Sequence, residues 1–226
     1  MMVEWTALLL SLKVAGCAIA LNLVAGVGLG AVLARWRFPG RELLDTFCTL
    51  PMVLPPTVLG YYLLVLIGRN GPLGAWLERY FGIHLVFTWQ GAVIAAAIAS
   101  FPLVFKPARA AFENVDRQLE QAARVLGVAE AGIFLRVSLP LAWRGILPGV
   151  LLGFARAMGE FGATLMVAGS IPGKTQTLSI AIYEAVQAGQ DGRANFLVLV
   201  TSVICIVTLL LAGTVGARRI VPGQRR

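Results

Sequence analysis

Gln121-Ala122-Ala123-Arg124-Val125-Leu126-Gly127, followed after nine residues by Val137-Ser138-Leu139-Pro140, forms a polar, basic insert between two hydrophobic spans. Between residues 106 and 145 the chain changes from uniformly apolar to amphipathic. Val115, Leu119, Ala122, Ala123 and Leu126 recur at helical spacing on one narrow arc, while Glu113, Arg117, Glu120, Gln121 and Arg124 fall elsewhere on the surface. Gly127 follows the last apolar residue, where a left-handed cap stops a helix. A second short helix over residues 129–137 follows, and Pro140 is expected to end it. The insert therefore reads as helix, sharp turn, helix and return to the membrane. Two readings stay open: a surface hairpin held on the headgroups by its basic residues, or a docking site that the small Ala122 and Ala123 let a partner approach.

The spans on either side follow from composition. A 226-residue chain with 58% hydrophobic and 13% charged residues, and a mean hydropathy of +0.81, is too apolar for one soluble core. The net charge of +8 does not signal nucleic acid, because the positive charges sit in loops between apolar runs and not on one face. Five runs are long enough to cross a hydrocarbon core of ~30 Å: residues 14–34, 47–67, 88–105, 146–167 and 196–217. Backbone groups in lipid are satisfied internally, so these spans are helices. Lys13 is placed to snorkel to the interface.

Basic residues orient the spans. Arg35, Arg37 and Arg41 follow the first span. Lys106, Arg109, Arg117, Arg124, Arg136 and Arg144 lie between the third and fourth, and Arg218, Arg219, Arg225 and Arg226 follow the fifth. Thirteen of nineteen Lys/Arg thus share one side, against Arg69, Arg79, Lys174 and Arg193 opposite. The positive-inside rule puts the N-terminus outside and the C-terminus in the cytoplasm of a multi-pass protein of the plasma (inner) membrane. Residues 177–188 read as a short interfacial or re-entrant helix on the outer side, because Glu184 and polar flanks oppose a full crossing. Residues 71–85 hold another such element, with Trp76, Tyr80 and Phe81 at the membrane surface.

Val14-Ala15-Gly16-Cys17 imitates a lipoprotein cleavage site, but Lys13 interrupts the preceding apolar run, Glu4 spoils the basic flank and the apolar run continues. The first span itself is then expected to direct insertion. Cys17, Cys48 and Cys205 lie in or beside apolar stretches and read as small packing residues. Gly26 and Gly30, with the ladder Gly145, Gly149 and Gly153, read as sites of close helix packing.

The spacing of the insert resembles the EAA loop of ABC-importer permeases, whose coupling helix seats in a groove of a cytoplasmic ATPase. The family's usual Glu-Ala-Ala is Gln121-Ala122-Ala123 here, with Glu120 one place earlier; the usual Ile is Val137, and Gly127, Leu139 and Pro140 stand where the pattern wants them. Leu50-Pro51-Met52-Val53-Leu54-Pro55-Pro56-Thr57-Val58 and Ala155-Arg156-Ala157-Met158-Gly159-Glu160-Phe161-Gly162-Ala163-Thr164 resemble stretches of the molybdate and sulfate group of oxyanion permeases. Together these matches cover nearly the whole chain.

The resemblance implies an all-α integral membrane protein of the ABC importer type I permease fold. About five transmembrane helices would form one domain over residues 1–226, with the cytoplasmic coupling segment at about 107–145. It implies ATPase coupling through Glu120, Gln121, Ala122, Ala123, Gly127, Val137, Leu139 and Pro140. Its implied partners are an ABC ATPase dimer, a second copy of the chain, a periplasmic or lipid-anchored molybdate-binding protein and membrane lipids, with no nucleic acid. ATP and Mg2+ would belong to the ATPase, with no cofactor in this chain. Substrate choice would lie mainly in the binding protein, which leaves molybdate, tungstate and sulfate open.

The membrane residues themselves permit two readings each. Arg156 and Glu160, four apart on one helix face inside an apolar span, are either an ion pair that holds the bundle or pathway residues that offer positive potential to a dianion. Gly159 and Gly162 flank Glu160 and allow close approach or a local break. Pro51, Pro55 and Pro56 give either a kinked helix or an irregular segment near the pore or gate. Residues 169–175 resemble a phosphate-binding loop but have three residues between the glycines where four are required, and include Pro172. His84 reads as a surface or interfacial residue. No nucleophile and base are patterned for chemistry on a substrate, so a transport subunit without its own nucleotide site is expected. A different class, an ion-driven secondary transporter with Glu160 as its ion site, lacks an inverted repeat.

Overall fold

A computed structural model describes residues 2–217. Arg218, Arg219, Arg225 and Arg226, assigned above to the cytoplasmic side, lie outside the described residues, where every element is helical. In chain order these are α1 (Met2–Arg35), α2 (Arg41–Val53), α3 (Pro56–Ile67), α4 (Pro72–Phe81), α5 (Trp89–Glu113), α6 (Arg117–Val125), α7 (Glu130–Ile133), a π-helical turn (Phe134–Ser138), α8 (Leu139–Met158), α9 (Gly162–Ala168), α10 (Leu178–Gln187) and α11 (Asp191–Ala217).

Among the described residues four stretches are long and apolar enough to cross a membrane: Glu4–Arg35, Trp89–Glu113, Glu130–Met158 and Asp191–Thr214. The bent pair of α2 and α3 makes a fifth passage if taken as one span. Three expectations need correction. Residues 47–67 are not one kinked helix, because α2 and α3 meet at 116°. Leu54 and Pro55 each precede a proline and are driven to extended backbone (ψ 139 and 138), which turns the chain sharply. Residues 146–167 are not one helix either. The helix stops at Met158 and resumes only at Gly162. Finally, Pro140 does not end the second helix of the insert. The π-turn, in which the Leu139 N–H bonds the Phe134 carbonyl, opens the spiral just before the ring, so α7 runs on into α8.

α5 is the central helix. Ala92, Ala96 and Ala97 pack with Ala15 and Ala18 of α1, Ala157 of α8 and Leu178 of α10 at one end. Val104, Ala108 and Phe112 pack with Val27 and Ala34 of α1 and Ile146 of α8 at the other. Ala95 and Ala99 meet Leu59 and Leu63 of α3 and Ala163 and Val167 of α9. Small residues permit these approaches: a Cβ on Gly149 would lie 2.6 Å from the Leu103 carbonyl oxygen, so α8 and α5 approach backbone to backbone. Lys13 covers the Trp89 ring at 3.6 Å.

Short helices form in both of the remaining stretches, α4 within 71–85 and α10 within 177–188. In α4, Trp76 contacts the rings of Tyr80 and Phe81, and all three are exposed. α10 buries Leu178, Ile180, Ala181 and Ala185, and its first N–H donates to Ser11 Oγ of α1 at 2.7 Å.

Candidate functional site

Two interruptions of the membrane helices meet. The bend between α2 and α3 and the gap between α8 and α9 touch at Pro56 and Gly162, where a Cβ on the glycine would lie 2.8 Å from Pro56 Cβ. A second close approach locks the same pair of elements: a Cβ on Gly60 would lie 2.8 Å from Met166 Cβ. Of the three prolines it is Pro56, at the start of α3, that makes this contact, while Pro51 lies within α2.

Glu160 sits in the gap and is 2% exposed. Its Oε1 accepts the Ala163 N–H at 2.9 Å, satisfying a donor at the start of α9 that has no partner within the helix. Arg156 Nη1 stands 2.6 Å from Oε2 as an ion pair, without the alignment of a hydrogen bond. The Arg156 side chain is 36% exposed, so the carboxylate is enclosed while its cation borders open space. Gly159 is exposed beside it, and the Phe161 ring meets Tyr183 of α10 at 5.1 Å. The geometry is that of an ion pair closing the break, with its guanidinium partly exposed.

At the opposite end, charge fixes the bent helix α2. Asp45 accepts from Lys106 Nζ and Arg109 Nη1, each at 2.5 Å, and Arg41 reaches Glu113 at 2.7 Å. The outer face of α2 presents Leu43, Phe47, Met52 and Val53.

The insert is built as the periodicity indicated, with one redistribution. Asp116 caps α6 by accepting the Gln118 N–H at 2.8 Å, and Gly127 stops the segment with φ +78. The apolar arc divides: Val115 enters the core, whereas Leu119 and Leu126 (82% exposed) project outward, joined by Val125 (88% exposed) from outside the arc. Gln121 and Ala122 are exposed with them and Ala123 is half-buried. Val137 and Leu139 are half-buried, and Pro140 is exposed. Arg124 clasps Glu130 through two hydrogen bonds (2.5 and 3.0 Å), closing the turn on itself and raising the guanidinium above its ordinary value.

Glu120, expected on the surface of the insert, is not there. It is 5% exposed and turned inward, paired with Arg35 and accepting from Ser138 Oγ at 2.5 Å. The sequence reading missed Arg35 and Ser138 as partners. The available signal was Glu120's phase on α6, about 120° around the axis from Leu126. A cavity of about 300 Å³ adjoins this cluster, bounded by Trp36, Arg117 and Phe134 among others. The near-miss phosphate loop instead folds on itself: the Ile171 N–H donates to Thr175 Oγ1 at 3.0 Å. His84 is exposed beside Glu78. Among the described residues no cluster of metal-binding side chains forms.

The chain matches the family described as binding-protein-dependent transport system inner membrane component over residues 26–221. It is 46% identical over 211 residues to the molybdenum transport system permease protein ModB of Escherichia coli (strain K12), covering 92% of this chain and 89% of that protein. It is 39% identical over 206 residues to the sulfate transport system permease protein CysW of Synechocystis sp. (strain ATCC 27184 / PCC 6803 / Kazusa), covering 91% and 74% respectively. Its fold is similar to a chain in the crystal structure of a bacterial alginate ABC transporter in complex with an alginate pentasaccharide-bound periplasmic protein, with a TM-score of 0.71 at 16% identity over 94% of this chain and 78% of that one.

Proposed function

Because the chain belongs to the family of binding-protein-dependent transport system inner membrane components, we propose that it is the permease subunit of an ABC importer that moves molybdate across the inner membrane. The observation that carries the substrate is the 46% identity to a molybdenum permease over nearly the full length of both chains. The sulfate permease matches at lower identity and over less of its own length, so sulfate is the second reading.

In this reading the chain pairs with a second copy and stands on two ATPase subunits, which bind ATP and Mg2+. A periplasmic or lipid-anchored oxyanion-binding protein delivers the substrate from above. The exposed tip formed by Leu119, Gln121, Ala122, Val125 and Leu126 seats on the ATPase: it is apolar, small at its centre and fixed in shape by the Gly127 cap and the Arg124–Glu130 clasp. Closure of the ATPase pair moves these tips together. The broken region around Pro56, Gly159 and Gly162 borders the pathway, because irregular backbone at membrane depth must line protein or water. Arg156 supplies positive potential there. Positive-inside orientation puts the insert in the cytoplasm and the N-terminus outside.

An ion-driven carrier using Glu160 is disfavoured by the engagement of that carboxylate with Arg156 and the Ala163 N–H. Uptake of labelled molybdate into vesicles holding this chain, its ATPase and its binding protein tests the reading. Uptake is expected to require ATP and to resist excess sulfate. Loss to sulfate moves the assignment to a sulfate permease, and uptake driven by an ion gradient without ATP overturns it.

A further inference from the structure

We infer that Glu120 is a positioning residue that carries movement of α6 into the membrane helices; the inference rests on the importer reading above. Adjacent helical positions lie about 100° apart around the axis. Gln121 therefore looks outward while Glu120 looks into the protein, where it is 5% exposed. Its Oε1 receives both Arg35 Nη2, at the last residue of α1, and Ser138 Oγ, at the end of the π-turn that leads into α8.

One carboxylate oxygen thus joins α6 to two transmembrane helices. The ion pair that Arg124 of α6 makes with Glu130 links α6 to α7 and stays within the insert. A buried carboxylate without its cation is costly, so α6 does not shift without taking Arg35 and Ser138 with it. Both routes reach the membrane. α1 packs along α5 and α8, and α8 ends at Met158, directly before Gly159 and Glu160. Ser138 stands where bonding is already i to i+5, a local widening of the kind frequent at functional sites. The neighbouring cavity of about 300 Å³ gives the Arg35 and Glu120 side chains room to move as a pair.

The test uses the assembled transporter in proteoliposomes and reads two quantities together: ATP hydrolysed and labelled molybdate imported. Glu120→Gln keeps the shape but removes the charge. It is expected to retain the ATPase and its hydrolysis while lowering molybdate imported per ATP about tenfold, the scale of one lost charge-assisted hydrogen bond. Ser138→Ala is expected to lower the ratio less. The exchange Arg35→Glu with Glu120→Arg restores it toward the wild-type value, which a merely space-filling role does not predict. A wild-type ratio in Glu120→Gln overturns the inference, as does an exchange variant that hydrolyses ATP yet stays as uncoupled as Glu120→Gln. If Glu120→Gln fails to assemble, a wild-type ratio in Ser138→Ala overturns it. Wild-type uptake that needs no ATP removes the importer reading itself, a result separable from all of these.

Discussion

Gly162 meets Pro56 so closely that a methyl group on the glycine would lie 2.8 Å from the Pro56 Cβ, and this contact ties together the two places where membrane helices break. Each break has a local cause, consecutive prolines in one and a glycine-flanked carboxylate in the other. Their contact makes them one structure.

Gly162→Val forces this junction apart. Overpacking of this kind costs roughly 1–3 kcal/mol. The variant is expected to insert and to bind its ATPase, while ATP-dependent molybdate uptake drops severely. Comparison of uptake with co-purified ATPase checks it, and normal uptake counts against a role for the junction in transport.

Gly127 holds φ +78 at the end of the tip proposed to dock on the ATPase. A side chain in that region costs about 1–2 kcal/mol, more when β-branched. Gly127→Val therefore reshapes the turn without touching the membrane spans. We expect the protein in the membrane at normal level with coupling lost; Gly127→Asn, which tolerates the left-handed region, keeps most of it.

Leu126 is 82% exposed and Val125 88%, a pair of apolar side chains that a docked surface would cover. Leu126→Asp leaves the fold of the insert untouched, since neither side chain packs in the core. Co-purification of the ATPase is expected to fall by about tenfold or more, the effect of truncating one interface anchor. Undiminished co-purification places the docking surface elsewhere.

Arg156 and Glu160 predict a non-additive pair. Arg156→Met strands a buried carboxylate and is expected to destabilise by on the order of 2 kcal/mol, less than for a fully enclosed pair because the Arg156 side chain is 36% exposed. Combining it with Glu160→Gln removes the stranded charge. Thermal unfolding in detergent then shows the double variant more stable than Arg156→Met alone. If uptake stays low in the double variant while stability returns, Arg156 serves the pathway as well as the fold.

Much of this was legible along the chain. Arg37 and Arg144 sit where apolar runs give way, and periodicity alone outlined α6 and its stop at Gly127. The prolines at 55 and 56 announced a disturbance, and Gly159 and Gly162 another. The angle of the first was not legible, since the preference of Leu54 and Pro55 for extended backbone allows many directions until α2 is anchored through Asp45 to Lys106 and Arg109. The continuity of α7 into α8 was hidden as well, because a π-turn has no distinctive composition and Pro140 reads locally as a stop.

By itself the sequence determined which runs are too apolar for water and which stretch between them is charged and amphipathic. Those outcomes depend on solvation and on neighbours within a few residues. Only the tertiary structure decided who meets whom. Glu120 with Arg35 is separated by 85 residues along the chain, and Gly162 with Pro56 comes from different spans. Such pairings are set by how helices cross and pack, which no local propensity encodes.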